Sequence, residues 1–151
     1  MQPELQRHRG FNIAGLTVRT SNHAEHEQHS ARIGKLWTRF FDERVYAVTP
    51  NRVNDMRLYG VYSAYESDAH GAFDLTTGVA VSGAPFAVNV EAGDYLVFTG
   101  RGQMPQMVLS LWESIWQYFE RHPDIHRSYR SDFEAYSGPD QVAIHIGVIR
   151  A

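Results

Sequence analysis

The chain has 151 residues, of which 43% are hydrophobic and 21% charged, so it is long enough for one domain with a buried core and too short for two. No apolar run approaches the roughly 18–20 residues that span a bilayer, and the amino terminus lacks the apolar segment of a secretory signal. The sequence contains no cysteine, which excludes disulfides and thiolate metal sites. We therefore expect a cytoplasmic protein without a membrane segment.

The charge pattern bears on the class of partner. The formal net charge is −3, arginines and acidic residues are interspersed, and Lys35 is the single lysine. Proteins that bind nucleic acids concentrate lysine and arginine against the phosphates. The sequence therefore predicts no nucleic-acid partner through this chain, and it mildly favours a cationic one.

The first half of the chain predicts a strand, a helix and two strands. Residues 11–21, 58–67 and 73–82 are rich in β-branched and aromatic residues, which favour strands. Between the first two segments, apolar residues recur at the spacing of one helix face: Ile33, Leu36, Trp37, Phe40 and Phe41. The start of this helix has two candidates, because Asn22 with Glu25 forms a capping-box pattern and Ser30 suits a shorter helix.

The second half predicts the same order of elements. Residues 94–100 are strand-like, and a helical pattern runs from about Pro105 to Phe119. The pair His122-Pro123 ends this helix, and two further strands are predicted at 131–137 and 142–149.

This recurrence indicates a duplicated βαββ unit within one domain of residues 1–151, with repeat one at about 11–90 and repeat two at about 93–150. Our alignment of the repeats matches Trp37 with Trp116, Tyr62 with Phe133, and Gly78 with Gly147. We predict an α+β fold, in which a pseudo-twofold antiparallel sheet carries both helices on one face. The opposite face would then be open near the repeat junction and would form the ligand cleft.

The strand at 131–137 carries an acid in its middle. Alternation places Phe133 and Ala135 on one face of the strand, and it places Asp132, Glu134 and Tyr136 on the other. The residues alone allow either a solvated surface or the wall of a site.

Six motifs occur in the order seen in the GyrI-like small-molecule-binding domain: "IGKLWTRFF", "YGVYSAYESD", "VEAGDYLVFTGRG", "LWESIWQYF", "DFEAYS" and "VAIHIGVI". The chain resembles this family over residues 10 to 150. The family includes the effector-binding domains of AraC-type and MerR-type multidrug regulators. The resemblance implies a pseudo-twofold pair of βαββ units and a central cleft that binds lipophilic, often cationic molecules through aromatic rings and an acid.

The resemblance also implies roles for particular residues. The family's glutamate lies in an "FE.Y" strand, which corresponds to Glu134 with Tyr136 beside it, so Glu134 is expected to face the cleft. The "YESD" segment offers Glu66 as a second acid on the opposite wall. The regulators carry a helix-turn-helix, for which we expect no room outside the repeats.

The remaining candidate ligand contacts are aromatic or imidazole side chains, each of which has a structural alternative as a core or strand residue: Trp37, Tyr65, Phe98, Trp116 and His145. The spacing of His23, His26 and His29 would allow a metal on a helix, but no partner completes a known ligand set. We therefore expect neither a metal nor a cofactor.

These observations favour a module that binds an amphiphilic or cationic small molecule without catalysis. Two alternatives stay open. The first follows from the family resemblance, because some relatives resemble hydrolases of strained cyclopropane-type toxins; Glu134 and Glu66 would then act as general base and acid. The second is a protein-interaction module that resembles a gyrase inhibitor. A homodimer is also compatible with the sequence, which does not identify the ligand.

Overall fold

The computed structural model describes residues 2–149. In chain order the elements are β1 (Glu4–His8), β2 (Phe11–Ser21), α1 (Asn22–Glu25), α2 (Ile33–Asp42), α3 (Val45–Val48), β3 (Leu58–Ser63), β4 (Ala72–Val81), β5 (Val88–Val90), β6 (Gly93–Arg101), α4 (Gln106–Arg121), β7 (His126–Gly138) and β8 (Gln141–Ile149). The predicted strands and both long helices are present. None of the helices among the described residues is long and apolar enough to cross a membrane.

All eight strands form one sheet in the order β1-β6-β8-β7-β3-β4-β2-β5, and every ladder between them is antiparallel. The series β2-α2-β3-β4 recurs as β6-α4-β7-β8, with β3 and β7 side by side at the centre. This arrangement confirms the α+β duplication and places the pseudo-twofold axis between β3 and β7.

Two short strands that we did not predict join the repeats. β1 precedes repeat one but pairs with β6, whereas β5 precedes repeat two but pairs with β2. The polar sequence of β1, "ELQRH", and the three-residue length of β5 give no clear periodicity. Both depend on backbone pairing with a strand that is distant along the chain, which no local pattern reveals.

The helices α2 and α4 pack on the same face of the sheet. In α4, Leu111 and Ile115 pack in one cluster with Phe98. In α2, Leu36 and Phe40 pack against β4. All five side chains are at most 1% exposed, and each such burial stabilises the fold by about 1.5–3 kcal/mol.

Glu25 is the side chain that caps α2. Its carboxylate accepts hydrogen bonds from the backbone N–H groups of Arg32 (2.9 Å) and Ile33 (3.2 Å). Neither predicted start is correct, because Ser21 caps α1 through the N–H of Ala24 and Ser30 donates its hydroxyl to a carbonyl. An acid from a preceding turn can supply the acceptor that the first N–H groups of a helix need.

The face opposite the helices is closed. Phe133 is 2% exposed there and contacts Phe11 of β2 and His8 of β1, with ring centroids 5.3 Å and 5.9 Å away. Two strands separate each of these rings from β7 in the sheet order, so they meet only because the sheet curls. Our expectation of an open cleft on this face is therefore wrong, because buried rings of the described residues cover the junction between the repeats there.

Candidate functional site

A pocket of about 270 Å³ lies between the amino-terminal ends of α1 and α2 and one side of α4. Five aromatic side chains form much of its wall: Tyr62, Tyr65, Phe73, Trp112 and Trp116. Glu25, Glu113 and Arg127 add charged groups to the lining. The pocket is therefore mainly aromatic, with charges of both signs.

Glu134 lies behind this wall and is 4% exposed. Its Oε2 accepts hydrogen bonds from the hydroxyl of Tyr62 and from Nε1 of Trp112, both at 2.8 Å. Its Oε1 accepts one from the hydroxyl of Tyr136, also at 2.8 Å. The alternation of β7 was thus predicted correctly, and the face that carries Glu134 and Tyr136 is buried rather than solvated.

Burial raises the pKa of Glu134 above its usual value, while the hydrogen bonds from Trp112, Tyr62 and Tyr136 oppose that rise. All three donors are neutral, and within residues 2–149 no arginine, lysine or histidine pairs with this carboxylate. When ionised, Glu134 is therefore a desolvated negative charge without a protein counter-charge, placed directly beneath aromatic rings.

Gly60 lets α2 approach this carboxylate. It pairs with Glu134 across the β3–β7 ladder, and a Cβ atom added there would lie 2.8 Å from Oε1 of Glu134 and 3.3 Å from the ring of Trp37. The Trp37 ring also contacts that of Tyr136, with centroids 5.4 Å apart. Trp37 is thus close to the acid, on the side that belongs to repeat one.

Replacing Gly60 with alanine should lower the free energy of unfolding by about 1–3 kcal/mol, the usual cost of overpacking a well-packed site. Gly34 provides the matched control, because it lies in α2 with no atom within 4 Å of an added Cβ. Gly34→Ala should raise stability by about 0.5–1 kcal/mol. Urea unfolding of both variants tests this, and equal stabilities would contradict the close packing around Glu134.

Asp132, two residues before Glu134, is a second buried acid on the same face. It is fully buried and accepts hydrogen bonds from the N–H of Gly147 (2.8 Å), from Nη2 of Arg127 (2.8 Å) and from the hydroxyl of Tyr65. The two acids differ in their partners: Asp132 pairs with Arg127, whereas Glu134 has no cationic partner among residues 2–149.

Several of the predicted contacts meet at this site. Tyr136 and Trp37 lie beside Glu134, whereas Tyr65 and Trp116 line the pocket. Four further residues of the site were not among the predicted ligand contacts: Tyr62, Trp112, Asp132 and Arg127. Strand alternation already placed Asp132 on the face of Glu134, but no sequence signal showed that the helical Trp112 donates to that acid.

Three predicted contacts are not brought to Glu134. Glu66 is exposed in the loop after β3, because the chain turns at Ala64 with a φ of 50° and the strand ends at Ser63. Phe98 is 1% exposed in the core beneath α4. His145 lies on the opposite face of the sheet, stacked on Phe133 at 4.2 Å. Burial lowers the pKa of His145 to about 4.

The structure also corrects our alignment of the repeats. Tyr62 donates to Glu134 on the helix side, whereas Phe133 belongs to the core on the opposite face. A twofold axis normal to the sheet relates side chains that lie on the same face of the sheet. Tyr62 and Phe133 lie on opposite faces, so they cannot correspond. A shift of one residue matches Tyr62 with Glu134 and Gly60 with Asp132, so repeat one supplies a donor and a glycine where repeat two supplies two acids.

Residues 2–149 contain no group of three or more histidine, aspartate or glutamate residues placed to hold a metal ion. Of the three spaced histidines, His26 lines the pocket.

Comparisons with known proteins agree with the fold. A family model described as Cass2, integron-associated effector binding protein, matches residues 4–148. An integron cassette protein from the mobile metagenome of Vibrio cholerae is 33% identical, with a TM-score of 0.83 over 98% of this chain and 96% of that one. SAV2435, solved bound to tetraphenylphosphonium, is 18% identical, with a TM-score of 0.80 over 99% of this chain and 94% of that one.

The similarity to SAV2435, at 18% identity, shows a shared fold. A comparison with curated proteins finds no match. The family model, which covers nearly the whole chain, confirms the GyrI-like resemblance and small-molecule binding as the general function. The chain belongs to the Cass2 family of integron-associated effector binding proteins, which has the GyrI-like fold.

Proposed function

We propose that this protein binds a lipophilic organic cation in the pocket between α2 and α4, with Glu134 as the counter-charge. The observation that carries the proposal is the environment of this carboxylate. It is buried, held by three neutral donors, and has no cationic partner among the described residues. A bound cation would compensate the charge that the empty protein leaves uncompensated.

The pocket wall suits such a ligand. Tyr62, Tyr65, Trp112 and Trp116 present rings to the pocket, and the faces of aromatic rings attract cations by about 0.5–2 kcal/mol each. Tyr62 and Trp112 also hold Glu134 by hydrogen bonds, so a cation against these two rings would lie one side chain away from the carboxylate. The tetraphenylphosphonium bound by SAV2435 supports this class of ligand here, since both chains share the fold.

A ligand of that size requires some movement at the rim. The pocket volume of about 270 Å³ lies slightly below the roughly 300–1,000 Å³ of common ligand sites. Leu109, which lines the pocket and is 61% exposed, lies on the surface of α4 and is free to change rotamer.

We propose that the protein binds its ligand without catalysing a reaction on it. An acid–base pair of Glu134 and Glu66 would need both carboxylates in one cleft, and Glu66 lies in an exposed loop. Three expectations stay predictions from the sequence: that nucleic acid is not a partner, that the protein is cytoplasmic, and that a homodimer forms.

Two ions of opposite charge and nearly equal shape test the proposal. Tetraphenylphosphonium should raise the melting temperature of the protein and bind by calorimetry, because a ligand of the native state stabilises it by mass action. Tetraphenylborate should bind at least about tenfold more weakly, since it places a second negative charge near Glu134. If the two ions bind equally well, their apolar surface and shape alone determine binding, and the proposed role of Glu134 as counter-charge is wrong.

A further inference from the structure

One wall of the proposed ligand pocket carries a buried cation of the protein itself. Arg127 lines the pocket, and its side chain is 8% exposed. The guanidinium carbon lies 4.5 Å from the ring centroid of Tyr129, so an aromatic face covers one side of the group. Arginine stays ionised even at such a site, so the pocket has a fixed positive charge in its wall.

Most of the hydrogen-bonding capacity of Arg127 is unused. A guanidinium has five N–H groups, and within residues 2–149 the one hydrogen bond from Arg127 goes from Nη2 to Asp132. Its Nε is buried without any partner. Both oxygens of Asp132 are engaged, because Oδ1 accepts from Gly147 and Oδ2 accepts from Tyr65 as well as from Arg127. Buried donors without acceptors are costly, and an acceptor on a ligand would remove part of that cost.

The rings of the wall suit a cation that is clad in hydrocarbon alone, but such a ligand would leave the remaining donors of Arg127 unpaired. The ion pair of Arg127 with Asp132 and the lone carboxylate of Glu134 are neighbours on one face of β7, since Asp132 and Glu134 are two residues apart, about 6–7 Å along a strand. The pocket therefore has Arg127 in its wall and the carboxylate of Glu134 close behind that wall.

We infer that the natural ligand is an organic cation that also carries a hydrogen-bond acceptor, such as a carbonyl or ether oxygen. The acceptor binds Arg127, and the cationic group lies towards Glu134. This inference rests on the proposed function and adds the polarity and the orientation of the ligand.

Two phosphonium probes with the same charged head and equal chain length test this inference. One is (3-ethoxycarbonylpropyl)triphenylphosphonium, which carries an ester, and the other is heptyltriphenylphosphonium. Arg127→Lys keeps the positive charge and an ion pair with Asp132 but removes the Nε donor and the planar fork. Arg19→Lys is the matched control, because Arg19 pairs with Asp74 at 3.0 Å and does not line the pocket.

The wild-type protein should bind the ester probe about fivefold more tightly than the heptyl probe, although the heptyl chain is the more apolar. Arg127→Lys should weaken ester binding about fivefold and change heptyl binding less than twofold. Arg19→Lys should change neither. Affinities from calorimetry, with melting temperatures as a check on folding, give these comparisons.

The inference is wrong if the wild-type protein prefers the heptyl probe, or if Arg127→Lys weakens both probes equally. In either case the proposed function still stands when both probes bind and Glu134→Gln weakens both. If neither probe binds, the proposed function fails, and the inference fails with it.

Discussion

Replacing Glu134 with glutamine should weaken tetraphenylphosphonium binding by about 30-fold or more, which corresponds to about 2 kcal/mol. Glutamine keeps the shape of the side chain and an oxygen for the hydroxyl of Tyr62 and Nε1 of Trp112, so the wall of the pocket should stay in place. The substitution removes the negative charge on which cation binding depends. A neutral ligand of similar shape, triphenylphosphine oxide, should lose far less affinity, because stacking on the rings survives.

Glu134→Gln should lower cation affinity, but it should not lower the free energy of unfolding. Burial raises the pKa of Glu134, so the stabilising contribution of this group is present below the unfolded value near 4.5 and is lost as the pH rises through the raised folded value. At neutral pH, Glu134→Gln should therefore be as stable as the wild type or more stable, and this difference should vanish in acid. Cation affinity of the wild type should fall as the pH falls through the same pKa, whereas that of Glu134→Gln should stay level.

Glu120→Gln is the matched control, because Glu120 is an exposed acid on α4 outside the pocket lining. It changes the net charge equally and should alter cation affinity and stability by less than about 0.5 kcal/mol. If Glu134→Gln behaves like this control while the wild type binds well, the cation lies elsewhere.

Replacing Asp132 with alanine should cost about 3–5 kcal/mol of the free energy of unfolding. The change leaves the guanidinium of Arg127 buried without a counter-charge and removes the acceptor for the N–H of Gly147 and the hydroxyl of Tyr65. This loss exceeds that of a single hydrogen bond because a desolvated charge is left uncompensated. Urea unfolding monitored by tryptophan fluorescence measures it.

Asp74→Ala provides the comparison for Asp132→Ala. Asp74 pairs with Arg19 at the same kind of distance, 3.0 Å, but the two side chains are 32% and 47% exposed. Water screens this pair, so its removal should cost no more than about 1 kcal/mol. Similar losses in the two variants would show that the pair of Arg127 and Asp132 is solvated in solution. The double variant Arg127→Met with Asp132→Leu should recover much of the loss, because it removes both charges.

The fold was predictable from the sequence because the responsible signals are local. The periodicity of Leu36 and Phe40 and the β-branched composition of residues 11–21 report directly on helix and strand formation. The duplication was visible because both repeats keep the same order of such signals. The short strands β1 and β5 were not predictable, since their pairing partners are distant along the chain.

The candidate site was predictable in part. Alternation along β7 fixed the shared face of Asp132, Glu134 and Tyr136, and the family resemblance singled out Glu134. The sequence could not show that Glu66 is beyond reach, because that depends on where β3 ends and how the loop turns.

The sequence by itself determined the six strands and two helices of the repeats, their duplication and the strand that carries the acid. Only the tertiary structure decided which face is open. The curl of the sheet closes the side of Phe133, so the accessible junction lies between α2 and α4. It also decided the partners: Tyr62 and Trp112, from β3 and α4, solvate Glu134 without neutralising it, while Arg127 neutralises Asp132. The physical reason is that hydrogen bonds and ion pairs between distant segments depend on packing geometry, which no local pattern encodes.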